Sequence, residues 1–484
     1  MTIERPILWT PSPAQANATK MARYIAWLKE SRGLNFACYD DLWHWSTHDL
    51  EAFWSSIWDF FDLQSSKPHS RVLAQNTMPG AVWFPGATLN FTDQVLRHAD
   101  SLDEQPALIM QSETFGHSAI SWAELAQQTG SVAAHFRAMG VGKGDRVVAI
   151  LPNTIPSVIA FLATTSLGAI WSICAPDMGN LAILDRFRQI EPKLLIAQDQ
   201  YIHAGKLVDR SAVVTQIAAA LPSLTHQIEV TGPQPLTKGR IKWRNLTRDS
   251  VPISSTQVPF DHPLWIVYSS GTTGNPKPIV HSHGGILVEQ AKQSLHQDLQ
   301  VGDRFSWLTS SGWIMWNVQF TALAQGATLA LFDGAPNHPD LGEIWRFVGR
   351  EQLTYFGAGA AFFSACLKAG IRPSEIADLS ALRRVGSTGF PLTSEAYDWV
   401  YETVKADIWL APISGGTDLA GAFVIGNPMQ PVRSGEMQCR ALGNAVHAFD
   451  AAGNALIGKV GELVCTEPLM YPTFVKVLPM RRFA

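Results

Sequence analysis

The sequence predicts an α/β fold, and three observations indicate it. Short apolar runs such as RVVAILP, KLLIAQ, LWIVYSS and ATLALFD alternate with longer, helix-like segments from residue 83 onward. Runs that are apolar along their whole length are typical of parallel strands covered by helices on both faces. Hydrophobic residues make up 46% of the 484-residue chain and charged residues 16%, which predicts a globular protein of two or three packed units.

Charge and cysteine usage exclude several classes of protein. The formal net charge is -4 and no dense Lys/Arg run is present, so no nucleic-acid partner is expected. Five cysteines lie far apart without metal-ligand spacing, which predicts free thiols and no protein-built metal site. The N-terminus carries charges and prolines where a signal peptide needs an apolar core, so a cytoplasmic location is expected.

The first 80 residues differ in character from the rest. The run DDLWHWSTHDLEAFWSSIWDFF is rich in tryptophan and acidic residues, and it places Phe53, Ile57 and Phe61 at i, i+4 spacing. Aromatic stripes at helical spacing usually form core rather than a ligand pocket. We therefore expect a helical cap over residues 1–80.

An uncharged stretch runs from Val147 to Pro176 and is long enough to cross a bilayer. Pro152, Pro156 and Gly168 interrupt it at short intervals. A strand, a turn, a helix and a second strand of a buried core fit this punctuation better than one long helix. No membrane span is expected.

The strongest chemical signal is YSSGTTGNPK at 268–277, which follows the apolar run Leu264–Val267. Glycines let a backbone approach a polyphosphate closely, hydroxyls donate hydrogen bonds to it, and a lysine adds positive charge. The segment is not a P-loop, because Pro276 precedes the lysine and no Ser or Thr follows it. A solvated turn does not call for so many hydroxyls beside a lysine. The predicted phosphate contacts are Ser269, Ser270, Gly271, Thr272, Thr273, Gly274 and Lys277.

The loop resembles the phosphate loop of the adenylate-forming superfamily, which includes acyl-CoA synthetases, luciferases and the adenylation domains of peptide synthetases. Further along, GSTGFPL resembles the turn that lies against adenine, and SGGTD resembles the element whose Thr contacts the α-phosphate and whose acid lies near the metal-bound phosphates. That acid is an Asp where the superfamily usually has Glu. The residues so implied are Gly389, Phe390, Pro391, Thr417 and Asp418.

The resemblance also implies a fold. Residues 81–466 are expected to form the large N-terminal domain of adenylate-forming enzymes, with stacked α/β subdomains and a small β-barrel, behind the helical cap. After GELVC at 461–465, the chain continues as TEPLMYPTFVKVLPMRRFA, which does not resemble the superfamily's ribose-binding segment, hinge and small C-terminal domain. We therefore expect residues 467–484 to be an unrelated tail and the small domain to be absent.

Within the superfamily, the aromatic N-terminal segment, the WFPG element at 83–86 and PKPIVH at 276–281 resemble the branch that activates acetoacetate. Acetyl-CoA synthetases carry a Trp-Trp-Gln-Thr-Glu element where this chain has Ser-Gly-Gly-Thr-Asp. Loss of an indole leaves room for a four-carbon acid, and related short acids remain open because one methylene contributes only about 1 to 3 kcal/mol of discrimination. The implied acyl-pocket residues are Trp313, Ile314, Met315, Thr388 and Gly415. Arg186 is similar in placement to a CoA-phosphate contact.

The resemblance implies an ATP-dependent acid-thiol ligase that converts acetoacetate to an acyl-adenylate and transfers it to CoA, with Mg²⁺ bound to the nucleotide. Lys277, Thr417 and Asp418 are the expected catalytic residues, acting by charge neutralisation and alignment. His281 and His283 are expected to be structural, because a substrate carboxylate is already ionised at pH 7. Three alternatives stay open: a nucleotide-binding remnant without turnover, a ligase for another short acid, and an adenylating enzyme that does not use CoA.

Overall fold

The computed structural model of the protein describes residues 5–233, 240–269 and 276–470. Its helices are α1 (Pro13–Ala18), α2 (Lys20–Arg32), α3 (Tyr39–His48), α4 (Leu50–Phe60), α5 (Phe91–Leu96), α6 (Trp122–Ala138), α7 (Ile155–Ser166), α8 (Asn180–Phe187), α9 (Ser211–Ala219), α10 (His283–Gln297), α11 (Ile314–Val318), α12 (Phe320–Ala324), α13 (Glu343–Arg350), α14 (Ala360–Lys368), α15 (Pro373–Ile376) and α16 (Ser394–Trp399).

The strands are β1 (Ile7–Trp9), β2 (Leu73–Gln75), β3 (Val82–Trp83), β4 (Thr88–Leu89), β5 (Pro106–Ser112), β6 (Gly116–Ser121), β7 (Arg146–Ile150), β8 (Ile170–Cys174), β9 (Leu194–Ala197), β10 (Gln200–His203), β11 (Lys206–Asp209), β12 (His226–Glu229), β13 (Ile241–Lys242), β14 (Val258–Pro259), β15 (Pro263–Ser269), β16 (Lys277–Ser282), β17 (Arg304–Trp307), β18 (Thr328–Asp333), β19 (Tyr355–Gly359), β20 (Arg384–Thr388), β21 (Trp409–Pro412), β22 (Ser414–Gly416), β23 (Gly421–Ile425), β24 (Val432–Arg433), β25 (Cys439–Arg440), β26 (Val446–Phe449), β27 (Ala455–Leu456) and β28 (Glu462–Cys465).

Two seven-stranded sheets form the framework. Their strand orders are β13-β12-β9-β7-β8-β15-β16 and β21-β20-β19-β17-β18-β5-β6. In each sheet, six strands are parallel and one edge strand, β16 or β6, is antiparallel. Parallel neighbours need crossover connections, whereas β16 and β6 follow their partners through short connections. This arrangement confirms the predicted α/β class.

The four apolar runs singled out in the sequence form β7, β9, β15 and β18. The uncharged stretch from Val147 folds as β7, α7 and β8, as its punctuation predicts. Of the helices in the described ranges, none combines the length and the apolar character that crossing a bilayer requires.

The N-terminal helices share their core with the rest of the protein. Phe53 and Ile57 are buried in α4, and Phe61 lies directly after that helix, also buried. Trp54 contacts Trp83 edge to face, and the indole N–H of Trp43 donates to the carbonyl oxygen of Asn444 at 3.2 Å. The aromatic stripe is therefore core, as its helical spacing indicates.

The C-terminal third of the described chain adds two small antiparallel sheets, β22-β23-β25 and β27-β26-β28. Where the resemblance implies a small barrel, these strands form two separately hydrogen-bonded sheets. The first of them packs on α10 through β23.

Helix α10 is buried along its whole length, and α2, α4 and β23 pack around it. It contains an ion pair between Lys292 and Glu289, with 2.7 Å between Nζ and Oε1 and both side chains shielded from solvent. Burial raises the pKa of the Glu289 carboxyl, and the neighbouring ammonium of Lys292 opposes that rise. Glu289 lies directly behind Gly421 of β23, where an added Cβ would overlap its carboxylate. The buried helix α10 therefore supports strand β23.

Candidate functional site

A cavity of about 420 Å³ opens beside the carboxyl ends of β20 and β21. Parallel α/β sheets commonly bind ligands at this edge, because loops leaving adjacent strands meet there. The cavity is lined by Trp313, Ile314, Met315, Val318, Thr388, Gly389, Phe390, Pro391, Leu392, Tyr397, Pro412, Ile413, Ser414, Gly415, Gly416, Thr417, Gly421, Gly435 and Met437.

Three segments identified from the sequence meet in this cavity. They come from the start of α11, from the turn after β20 and from β22 with the residues that follow it. The sequence-predicted residues brought together there are Trp313, Ile314, Met315, Thr388, Gly389, Phe390, Pro391, Gly415 and Thr417. Phe390 is 77% exposed, which is unusual for a phenylalanine and leaves its ring free to stack on a planar ligand.

The predicted phosphate loop lies largely outside the described residues. Ser270, Gly271, Thr272, Thr273 and Gly274 are not among them. The flanking residues Ser269 and Lys277 are paired across the β15–β16 hairpin, and Lys277 is exposed. The hairpin therefore presents a lysine at the mouth of the predicted loop, outside the set of described residues that line the cavity.

Helix α8 and the residues directly after it contact both flanks of the predicted loop. The hydroxyl of Tyr268 donates to the carbonyl oxygen of Arg186 at 2.9 Å, and the amide of Gln189 donates to the carbonyl oxygen of Pro276 at 3.0 Å. The guanidinium of Arg186 lies 5.5 Å from the centroid of the Tyr268 ring, at the distance of a cation–π contact. Arg186 is thus beside the loop rather than in the cavity, and its assignment to CoA stays a prediction.

Asp418 follows the cavity wall and is exposed, without a hydrogen bond or ion pair to its carboxylate among the described residues. Its backbone is held by His281 of β16, whose Nε2–H donates to the Asp418 carbonyl oxygen at 2.9 Å. The Nδ1 of His281 accepts from the indole N–H of Trp265 at 2.8 Å. These two bonds specify a neutral imidazole and connect the strand that begins at Lys277 to the Thr417–Asp418 turn.

Both histidines after the predicted loop are structural, as the sequence interpretation states. His281 and His283 are fully buried, and Nδ1 of His283 accepts from the backbone N–H of Phe91 at 3.1 Å. Burial lowers the pKa of His281 to about 4 and that of His283 well below its usual value.

Acid should destabilise the fold through His281. Above pH 6.5 the imidazole is neutral in both the folded and the unfolded chain, so it has no pH-dependent effect there. Between pH 6.5 and about 4 the unfolded chain binds a proton that the folded chain does not, so the free energy of unfolding falls as pH falls. At pH 5 the loss is about 2 kcal/mol for this residue.

The measurement is urea-induced unfolding at pH 7 and pH 5 for the parent chain and for His281→Gln. The parent should lose about 2 kcal/mol more than the variant over this interval. Asp333, whose pKa burial raises to about 6, acts in the opposite direction but equally in both proteins. His203→Gln, at an exposed position, is the control and should keep the parent's pH dependence. Equal losses in parent and His281→Gln would contradict the prediction.

Some lining residues carry no sequence motif. Val318, Tyr397, Gly435 and Met437 belong to segments that the sequence does not mark, and they reach the cavity only through the tertiary fold. Tyr397 could be anticipated in one respect, since the hydroxyl of a buried tyrosine usually finds a polar partner. Here that partner is the carbonyl oxygen of Glu436 at 2.6 Å.

Family models match most of the chain. The model described as AMP-binding enzyme matches residues 95–474, and the model described as acetyl-coenzyme A synthetase N-terminus matches residues 39–95.

Individual proteins are similar over nearly the whole chain. The acetoacetyl-coenzyme A synthetase of Rhizobium meliloti (strain 1021) is 40% identical over 473 residues, covering 96% of this chain and 72% of its own length. The malonamoyl-CoA synthetase of Penicillium aethiopicum is 34% identical over 495 residues, covering 95% of this chain and 68% of its own length. The solved structure of the acetoacetyl-CoA synthetase from Streptomyces lividans superimposes with a TM-score of 0.94 at 43% identity, covering 97% of this chain and 73% of that one.

Proposed function

This chain belongs to the AMP-binding enzymes and, within them, to the acetoacetyl-CoA synthetases, and on that premise we propose that it is an ATP-dependent ligase of acetoacetate and CoA. One observation carries the proposal: the same cavity is lined by α11, by the turn after β20 and by the residues around β22. The resemblance implies acyl contacts for the first segment, adenine contacts for the second and an α-phosphate contact for the third. Those segments are separated by about 70 and 20 residues of chain.

The proposed reaction has two steps. The carboxylate of acetoacetate attacks the α-phosphorus of ATP, the bond to the β-phosphate oxygen breaks, and pyrophosphate leaves. The thiol sulfur of CoA, having lost its proton, then attacks the acyl carbon and AMP leaves with the bonding pair. Both substrates of the first step are anionic, so the protein's contribution is alignment and charge neutralisation. Lys277, Thr417 and the N–H groups of the loop supply these interactions.

Mg²⁺ fits the residues present at the cavity rim. Magnesium in such sites is usually held by one or two carboxylates together with substrate phosphates. The exposed carboxylate of Asp418 has no protein partner among the described residues, which suits that role. The described part of the chain offers no cluster of three His, Cys, Asp or Glu side chains for a metal. Asp418 would therefore hold an ion that arrives with the nucleotide, where it neutralises phosphate charge.

The acyl group is assigned to the apolar lining residues that α11 contributes, Ile314, Met315 and Val318. The acids named for the two kinds of relative, acetoacetate and malonamate, are of similar length and both carry a carbonyl at C3. We take acetoacetate as the substrate because the relatives named for it are more similar in sequence.

Coenzyme A is assigned to the surface of α8. Arg186 provides a guanidinium there, beside the proposed phosphate loop, for a phosphate of CoA. In this proposal residues 81–466 form the adenylating domain, and residues 1–80 form a helical cap that supports α10 behind the cavity wall.

The test is acetoacetate-dependent release of pyrophosphate and formation of acetoacetyl-CoA by the purified chain, with acetate and butyrate beside it. We expect both products, with acetoacetate preferred. Pyrophosphate release without a thioester would indicate an adenylating enzyme that does not use CoA. Bound ATP without either product would identify a nucleotide-binding protein and overturn the ligase.

Gly415 is expected to be indispensable for turnover, for a reason found only in the fold. An added Cβ at Gly415 would overlap the carbonyl oxygen of Gly421 on the paired strand β23. Gly415→Ala should displace the cavity wall by about 1 Å and lower kcat/KM about a hundredfold.

Gly142→Ala, which lies outside the cavity, is the control. An added Cβ there would meet no heavy atom of the described residues within 4 Å, and neither glycine has a left-handed backbone. We expect its kcat/KM to stay within about threefold of the parent, since the added methyl group displaces nothing. Similar kinetics for the two variants would show that the close approach of β22 and β23 is not required.

A further inference from the structure

The turn between β22 and β23 carries two of the three residues assigned to catalysis. It consists of Thr417, Asp418, Leu419 and Ala420, and the N–H groups of the last two donate to the carbonyl oxygen of Gly416 at 3.3 and 3.0 Å. Ala420 has a φ of +48°, in the left-handed region that glycine occupies readily and alanine does not. The turn therefore holds a strained residue two positions after Asp418.

Strain of this kind persists only where neighbouring groups fix the backbone. One such group is His281, which donates to the carbonyl oxygen of Asp418 at 2.9 Å. A second is Gln293 of α10, whose Nε2–H donates to the carbonyl oxygen of Ala420 at 3.1 Å. Two side chains thus hold alternate carbonyl groups of the turn, and Gln293 binds the strained residue itself.

The amide of Gln293 is held in one orientation. The residue is buried on α10, and its Nε2 also lies 3.4 Å from Oε1 of Glu289, whose carboxylate pairs with Lys292. A carbonyl oxygen and a carboxylate both accept hydrogen bonds, so both require the amide nitrogen rather than the amide oxygen at this position. A Cβ at Gly421 would lie 3.0 Å from the same nitrogen, so β23 approaches it closely. The protein therefore fixes this donor before any ligand binds.

We propose that Gln293 is a positioning residue for the adenylation step, which fixes the backbone of the Thr417–Asp418 turn through the carbonyl oxygen of Ala420. This inference rests on the proposed function and adds a residue to its first step. Gln293 is not among the described residues that line the cavity, so it acts through the turn. Loss of its amide would leave a buried carbonyl oxygen without its donor and let Ala420 relax from the left-handed conformation.

The experiment compares Gln293→Met with Gln297→Met, one helical turn further along α10. Both glutamines are buried, and methionine has a similar length without a donor. The side-chain amide of Gln297 has no hydrogen-bond partner among the described residues, so its replacement breaks no bond there. We expect Gln293→Met to lower kcat for acetoacetate-dependent pyrophosphate release about tenfold, with KM for acetoacetate within about twofold. Gln297→Met should change neither constant by more than about twofold.

A second substitution separates positioning from stability. Glycine adopts a positive φ without the steric penalty of alanine, so Ala420→Gly should restore part of the rate that Gln293→Met loses. We expect kcat of the double variant to exceed that of Gln293→Met at least about threefold, and Ala420→Gly alone to stay within about twofold of the parent. A glutamine that only stabilised the core would show no such recovery, because the glycine supplies no core contact.

Each outcome decides the inference separately from the proposed function. If the parent is active and Gln293→Met keeps its kcat, or Gln297→Met loses as much, the inference is overturned and the ligase stands. A loss that Ala420→Gly does not restore also overturns it. If the parent is inactive, the ligase fails, and amide hydrogen exchange of the peptide covering residues 414–423 decides. Faster exchange there in Gln293→Met but not in Gln297→Met supports the hold of Gln293 on the turn, and unchanged exchange overturns it.

Discussion

Replacing Arg384 with methionine is expected to lower the free energy of unfolding by about 3 to 5 kcal/mol. Arg384 begins β20, and its side chain is 7% exposed. Its guanidinium donates to Asp298 at 2.7 Å and to Asp303 at 2.8 Å. Burial opposes ionisation of Asp303, yet Arg384 holds the pKa of that carboxyl below its usual value. Methionine would leave two carboxylates without a buried cationic partner.

Arg383→Met is the matched control in the adjacent residue. Arg383 also contacts Asp303, at 2.6 Å, but its side chain is 58% exposed. Water solvates the partners of an exposed ion pair once the pair is broken, so we expect the free energy of unfolding to fall by less than about 1 kcal/mol. Urea-induced unfolding of the two variants measures the difference. Comparable losses would show that solvent, rather than Arg384, compensates the charges of Asp298 and Asp303.

Replacing Lys277 with alanine is expected to reduce acetoacetate-dependent pyrophosphate release by about 10² to 10³. The proposed first step brings an anionic acid to an anionic triphosphate, and loss of one positioned charge contact commonly costs this much. Lys277 is exposed at the start of β16, so its removal leaves no cavity in the core. The effect should therefore be seen in kcat/KM and not in the free energy of unfolding.

Two variants complete the test of Lys277. Lys277→Arg keeps the charge with a different shape and should recover part of the activity. Lys206→Ala removes an exposed lysine from β11 and should leave kcat/KM unchanged. An unaltered rate in Lys277→Ala would remove this residue from the proposed mechanism.

Much of the fold could be predicted locally. The apolar runs that became β7, β9, β15 and β18 are strands because their side chains are buried on both sheet faces, and such runs need no distant information to be recognised. The helix over Phe53 and Ile57 follows from its own periodicity in the same way.

The site was predictable only in part. Thr388 to Pro391 and Ser414 to Thr417 lie in segments that resemble motifs of the superfamily, and that resemblance pointed to them. The part played by His281 was less accessible. A structural role for His281 was expected because an ionised substrate carboxylate needs no base, but its bond to the Asp418 carbonyl joins residues 137 positions apart.

The sequence by itself determined the α/β class and the candidate loop, because these depend on periodicity and on residue types within short segments, and the other motif residues followed from the family resemblance. Only the tertiary structure decided that Trp313, Gly389 and Thr417 share one cavity, since strand order and crossover direction bring distant segments to the same sheet edge. The tertiary structure also gave Gly415 its steric reason, since its contact with Gly421 depends on the approach of a second strand, which no local pattern encodes.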